Sequence, residues 1–290
     1  MIRSRFGTMT TSTQKCKEYE EFVCGFGAAV VNIAVTFPIN KIIFRQQLHG
    51  VGVKSAVSQV HSEGLFLLYR GILPPLCQKS ISTSLMFGVY DKSNLFLKPY
   101  LSNSPYFMKF TSAMFAGCIE AILTPFERLQ TLLQDSAYNK ELTSTQHLIK
   151  RIYQEHGFKE YYRGLSVVLL RNGPANVVFF IARDEVQKIF PTSPGKDSRY
   201  MNLLKDFSIG AVIGACNSSV FFPLNVIKIH MQSKLGGSHD TVWQVTREIY
   251  IERGRKLSSF YRGVHMNCTR SFISWGVAMV AYERLKLLLC

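Results

Sequence analysis

Four charged side chains each stand alone in a long apolar stretch: Lys79 within residues 71–90, Glu120 within 110–126, Arg171 within 164–182 and Arg270 within 263–282, counting His265 as neutral. An ionised group in a hydrocarbon layer costs at least about 3 kcal/mol, so it faces a partner or a watery cavity. Three cations against one carboxylate favour an anionic solute, and a guanidinium grips phosphate oxygens two at a time. A diphosphate-bearing molecule suits that balance. Gln78 stands beside Lys79, and Asn172, next to Arg171, offers a hydrogen bond to a base edge or a ribose hydroxyl. Glu120 has two readings: a contact to hydroxyls or a cationic ring, or a structural salt bridge to Lys79 or Arg171. Phe87 and Trp275 either stack on a heterocycle or pack.

These residues must be held by membrane-spanning helices. Residues 22–40 and 207–227 contain no charge at all, and each is long enough to cross about 30 Å of hydrocarbon as a helix. With the four singly charged stretches they make six expected spans. Between spans one and two, three and four, and five and six lie polar stretches of helical character. In 143–156, for example, Leu148, Ile149, Ile152 and Tyr153 fall at amphipathic spacing, as in a helix lying on a membrane surface. The composition agrees: 47% hydrophobic, 18% charged, yet a net charge of +15. A basic excess on an apolar chain points to anionic lipid or solute. No nucleic-acid motif is present. The seven cysteines form no CxxC pair and the histidines are scattered, so neither a metal site nor a nucleophile–base constellation is expected; the chain reads as a non-enzyme without a resident cofactor. Residues 1–20 read as a disordered tail, with a weak matrix-targeting segment as the alternative.

The chain repeats itself three times. Pro38, Pro125 and Pro223 fall late in the odd spans, and nine residues after each stands a glutamine, Gln47, Gln134 and Gln232. A Tyr-Arg-Gly triplet follows each time, ending at Gly71, Gly164 and Gly263, and an acid stands 21 residues beyond its arginine: Asp91, Asp184 and Glu283. Small residues precede each proline by thirteen and nine positions, as where helices approach closely in lipid: Gly25 and Ala29, Ser112 and Ala116, Gly210 and Gly214. Seven residues after the triplet glycines come Gln78, Arg171 and Arg270. At 1.5 Å per residue, Arg171 lies about 20 Å along its helix from Asp184, which places these groups halfway through the membrane. The repeats are expected over 21–98, 106–190 and 201–290, as one pseudo-threefold, all-α bundle.

This pattern resembles the mitochondrial carrier family, whose odd helices bear proline, x, acid, x, x, base. The resemblance covers the chain beyond its first twenty residues. It implies a six-helix barrel with three short matrix-side helices, a central site, an ionic gate on each side, alternating access, and residence in the mitochondrial inner membrane as a monomer. In the matrix gate the acid positions hold Asn40, Glu127 and Asn225 and the base positions Ile43, Gln130 and Lys228, so one ion pair is expected, Glu127 with Lys228; Asn40 can hydrogen-bond Gln130. Gln47, Gln134 and Gln232 match the family's braces. On the cytoplasmic side Asp184 is expected to pair with Lys286, with Tyr90 and Tyr282 as tyrosine braces and Arg183 a departure. Arg70-Gly71, Arg163-Gly164 and Arg262-Gly263 match the family's cardiolipin-binding motif at even-helix N-termini.

Within the family, the stretches TFPINKIIFRQQL (36–48), YRGILPPLCQK (69–79), TPFERLQTLLQD (124–135) and RSFISWG (270–276) resemble the branch that carries NAD+. That implies NAD+ as transported substrate. Another nucleotide-like coenzyme is the alternative, and the charge-poor gates leave room for a scaffold without transport.

Overall fold

The computed structural model describes residues 3–101, 104–139, 141, 144–190 and 198–289; the side chains of 3–22, 65, 66, 80, 198–204, 206, 207, 283 and 286–289 lie outside the description. Among the described residues all regular structure is helical. It comprises α1 (Arg3–His49), α2 (Val53–Ser62), the single turn α3 (Leu65–Leu68), α4 (Leu73–Leu101), α5 (Pro105–Glu120), α6 (Thr124–Gln134), α7 (Thr145–His156), α8 (Leu165–Ile189), α9 (Ser198–Val220), α10 (Phe222–Ser233), α11 (Val242–Glu252) and α12 (Val264–Leu289).

The long helices close a ring: α1 packs on α4, α4 on α5, α5 on α8, α8 on α9, α9 on α12, and α12 back on α1. Beneath the prolines the odd helices turn inward, so that α10 packs against both α1 and α6. The prolines act differently in the three repeats. Pro38 sits inside an unbroken α1, a 3₁₀ turn at Ala121–Leu123 precedes Pro125, and α9 breaks from α10 by 63° just before Pro223. A proline lacks the N–H that its helix would use, which is why the breaks fall there.

Three segments are long and apolar enough to cross a membrane (Val23–His49, Pro105–Gln134 and Phe158–Ile189), and the bent pair Ser208–Val220 with Phe222–Ser233 makes a fourth. Apolarity and length thus support three or four of the six expected spans. α4 and α12 fall short because they carry polar residues toward the ring's interior, Gln78, Lys79 and Ser82 on one and Asn267, Arg270 and Ser274 on the other. Burial is inside-out relative to a water-soluble protein. Arg45, Arg128 and Lys41 are among the largest fully buried side chains, while Phe26, Phe110, Phe115, Val178, Val212 and Phe272 are exposed on the long helices.

The helical backbone of α1 starts at Arg3. The small-residue pairs are not all contacts. A Cβ on Gly117 would meet Asn172 and Gly173 at 2.7 Å, so α5 and α8 do touch closely beside buried Ser112 and Ala116, but Gly25, Gly210 and Gly214 have open space around them.

α7 is amphipathic, but of the four residues expected on its apolar face Leu148 and Ile152 are buried while Ile149 and Tyr153 are exposed; Ser144 caps its N-terminus. α2 and α11 bury Ala56 with Val60 and Val245 with Ile249 in the same way.

Candidate functional site

A chamber of about 490 Å³ lies inside the ring, lined by residues of α1, α4, α6, α8, α10 and α12. Gln47 and Gln134 mark its narrow end, with Asn40, Gln130 and Asn225 around it. Its organising group is the carboxylate of Glu127 in the first turn of α6. Lys228 on α10 donates to Oε2 at 3.1 Å, the pair expected from the repeat. Two further donors reach Oε1: Arg171 at 3.0 Å and Gln78 at 3.2 Å. Arg171 also donates to Asn225 Oδ1 at 2.8 Å and to its neighbour Asn172 at 2.7 and 2.9 Å. One carboxylate thus ties α4, α6, α8 and α10 together, with Arg171 part of the same network.

The expected solute-binding groups stand in different places. Arg171 lines the chamber, and its guanidinium donates to Glu127, Asn172 and Asn225 because its long side chain runs from mid-helix toward that carboxylate. Asn172 is buried and holds Arg171; it is absent from the chamber wall. Glu120 also lies off the chamber. It accepts from Ser82 on α4 and from Asn176 on α8, the latter at 3.4 Å, rather than from Lys79 or Arg171.

Lys79 and Arg270 remain. Both line the chamber, Arg270 donates to Asn267 at 3.1 Å, and among the described residues Lys79 Nζ has no acceptor. Above them a second chamber of about 720 Å³ shares Asn32, Lys79, Arg270 and Ser274 with the first, so the two communicate through this pair of cations.

At the far end Tyr90 is buried and stacked on Phe180, ring centres 3.7 Å apart. Asp184 is paired with Lys109 on α5; the side chains of Lys286 and Glu283, the latter an expected gate acid and the former the expected partner of Asp184, lie outside the described residues. Asp91 is exposed and Tyr282 half-buried.

The glutamine end is held by arginines. Each triplet glycine has positive φ (+82°, +83° and +101° at Gly71, Gly164 and Gly263), and a Cβ on Gly71 would come within 2.9 Å of Leu133. Glycine here lets each even helix start against an odd one. The triplet arginines reach neighbouring loops. Arg70 donates to the Tyr138 and Asn139 carbonyls, Arg163 to those of Gly236 and Ser238, and Arg262 to that of Gly50. Each therefore reaches the loop of the next repeat, cyclically, because that loop leaves carbonyls without helical partners. Burial in this setting holds the Arg70 guanidinium below its ordinary pKa.

The repeat that these contacts close is a known one. The family model of mitochondrial carrier proteins matches the chain three times, over residues 14–101, 102–194 and 199–290. The chain belongs to the mitochondrial carrier family. This carrier is 43% identical over 267 residues to the mouse mitochondrial nicotinamide adenine dinucleotide transporter SLC25A51, covering 92% of the chain and 88% of the relative. It is 41% identical over 266 residues to the human transporter SLC25A52, with the same coverage, and 31% identical over 276 residues to human solute carrier family 25 member 53, covering 92% and 87%.

Sequence reasoning missed the carrier's buried ion pairs. Glu63 pairs with Lys41 at 2.7 Å and with Arg45 at 2.6 Å, and Glu160 pairs with Arg128 and with Arg163, the latter at 3.2 Å. In the third repeat Arg253 donates instead to the carbonyls of Gln47 and Ser259, and burial lowers its pKa. The available signal was an acid in the few residues ahead of the first two triplets, Glu63 and Glu160, and a base following Asn40 and Glu127, Lys41 and Arg128. The glutamine braces also differ from expectation. Gln232 accepts from Thr131 at 3.3 Å, and Gln134 Nε2 is buried with no acceptor among the described residues.

Proposed function

We propose that this carrier moves NAD+ across the mitochondrial inner membrane, from cytosol to matrix, by alternating access through six spans. One observation carries the reading: Lys79 and Arg270 line one chamber inside the ring without a carboxylate partner among the described residues, while the one gate carboxylate, Glu127, is fully engaged below them. Two uncompensated cations in a cavity between gates suit a diphosphate. The names of the relatives, nicotinamide adenine dinucleotide transporters, supply the dinucleotide.

The Glu127 network is the matrix gate in this reading, with Gln47, Gln134 and Gln232 beneath it, and Asp91, Asp184, Glu283 and Lys286 belong to the opposite gate. α2, α7 and α11 lie on the matrix face. Cardiolipin is received by the backbone amides at Gly71, Gly164 and Gly263, since the neighbouring guanidinium groups are taken by carbonyls. A single chain closes the barrel and works as a monomer.

The test is uptake of labelled NAD+ into liposomes containing the purified carrier, with unlabelled nucleotides as competitors. Saturable uptake competed by NAD+ supports the reading. Uptake of another nucleotide in its place would reassign the substrate, and no uptake of any anion would favour a scaffold.

A further inference from the structure

The upper chamber is the larger of the two, at about 720 Å³, and neither gate network uses it. Its α9 wall is made of small residues, among them Gly210 and Gly214, beside which a Cβ would meet nothing within 4 Å. Facing that wall stand Phe87 on α4, Phe179 and Arg183 on α8, and Trp275 on α12, all but the arginine aromatic and all half-buried. Phe87 and Phe179 pack edge-on against each other and against Phe180 while still lining the chamber. Phe180, next along, is the core ring here: 1% exposed and stacked on Tyr90. Arg183 has its Cζ 5.2 Å from the Phe87 ring centre, and among the described residues no carboxylate pairs with it, so its N–H donors remain available. Trp275 Nε1 is buried and has no acceptor among the described residues.

The spacing relates this wall to the cations below. Phe87 is eight residues beyond Lys79, about 12 Å along α4, and Trp275 is five beyond Arg270, about 7.5 Å along α12. A pocket for a small organic ligand spans about 300–1,000 Å³, so each of the two connected chambers is large enough to hold part of an extended solute.

We infer that the upper chamber is a ring-binding subsite: a flat heterocycle of the solute lies among Phe87, Phe179 and Trp275, Arg183 donates to its edge or to a ribose, and the phosphates sit below at Lys79 and Arg270. The inference rests on the transport reading above and specifies how the solute is oriented. It also assigns a role to Arg183, which stands where the family carries a tyrosine brace.

Two measurements test it. The chain has two tryptophans, and Trp243 is exposed on α11, so Trp243→Phe leaves Trp275 as the sole emitter. In liposomes, NAD+ should quench that emission saturably, and inorganic pyrophosphate, which has the charge but no ring, should not. Separately, Phe87→Leu, or Arg183→Gln should the first fail to fold, should raise the half-saturating NAD+ concentration roughly tenfold, the scale of a lost base–aromatic stack, without weakening inhibition by pyrophosphate. Silent Trp275 emission in a carrier that still takes up NAD+, or equal weakening of NAD+ and pyrophosphate, would overturn the subsite alone. Absence of NAD+ uptake by the unaltered carrier would overturn the transport reading and this inference with it.

Discussion

Arg171 donates to the Glu127 carboxylate at 3.0 Å while the same guanidinium donates to Asn225 at 2.8 Å, so a single side chain on α8 joins α6 to α10. Lys228 shares the carboxylate at 3.1 Å. The proposed matrix gate contains one acid and two bases where the family pattern allows three acids and three bases, and its cohesion comes from neutral amides as much as from charge. Any motion that opens this end must break the Arg171 contacts to Asn225 and Glu127 together.

Arg171→Lys therefore behaves as a loss, although it keeps the charge. A lysine supplies a compact ammonium and cannot hold Asn172, Asn225 and Glu127 from one planar fork. NAD+ uptake should fall at least about tenfold, corresponding to roughly 1.5 kcal/mol for a lost hydrogen bond to a charged group. Uptake within twofold of the unaltered carrier would show that the fork is not part of the transport cycle.

The triplet glycines allow a cleaner test, because a control lies in the same repeat. Gly71→Ala forces a side chain into positive φ with Leu133 Cβ at 2.9 Å, whereas a Cβ on Gly88 in α4 meets nothing within 4 Å. The first substitution should destabilise by about 1–3 kcal/mol. The second should be neutral or stabilise by up to about 1 kcal/mol, as alanine does in a helix interior. Thermal unfolding of the two variants in detergent, side by side, decides it; equal midpoints would contradict the backbone geometry.

Both results bear on what the sequence could reveal. The threefold offsets were legible because proline, glycine and the acids are constrained at fixed helical positions, and the Glu127–Lys228 pair follows from those offsets. The Arg171 orientation was not legible: its Cα is halfway along the membrane, but a long side chain decides its own destination, and Glu127 attracts it downward. Nor were the arginine bonds from each triplet to the next repeat, since their acceptors are carbonyls of residues such as Gly50, Ser238 and Asn139, which have no side-chain signature in common. Lys109 lies outside every repeated motif, so its pairing with Asp184 left no trace in the spacing.

The inter-repeat arginines should not contribute equally. Arg163 is buried, donates to two carbonyls and contacts Glu160, while Arg262 is exposed and donates to one. Arg163→Gln leaves a buried acid with one fewer cation and is expected to destabilise by about 3 kcal/mol. Arg262→Gln should cost about 1 kcal/mol. Unfolding midpoints in detergent rank them, and the reverse order would mean that Glu160 is satisfied by Arg128 alone.

Glu127 offers the most discriminating experiment, because two bases compete for it. Glu127→Gln removes the charge that holds Arg171 and Lys228 at the same place, 3.0 and 3.1 Å from its oxygens, and leaves the two cations partly buried against each other. Breaking such a pair by removing one partner costs about 3–5 kcal/mol. A second substitution that removes one cation should recover part of that loss, and which one recovers more identifies the dominant partner. Arg171 makes three further hydrogen bonds, two to Asn172 and one to Asn225, at 2.7–2.9 Å, and is held without Glu127; Lys228 has no other acceptor among the described residues.

 The freed cation that lacks alternatives is Lys228, so Glu127→Gln with Lys228→Gln should regain more stability than Glu127→Gln with Arg171→Gln, which also empties the Asn172 and Asn225 contacts. Unfolding midpoints of the three variants in detergent measure this, and greater recovery from the Arg171 substitution would make Arg171, not Lys228, the cation that depends on Glu127.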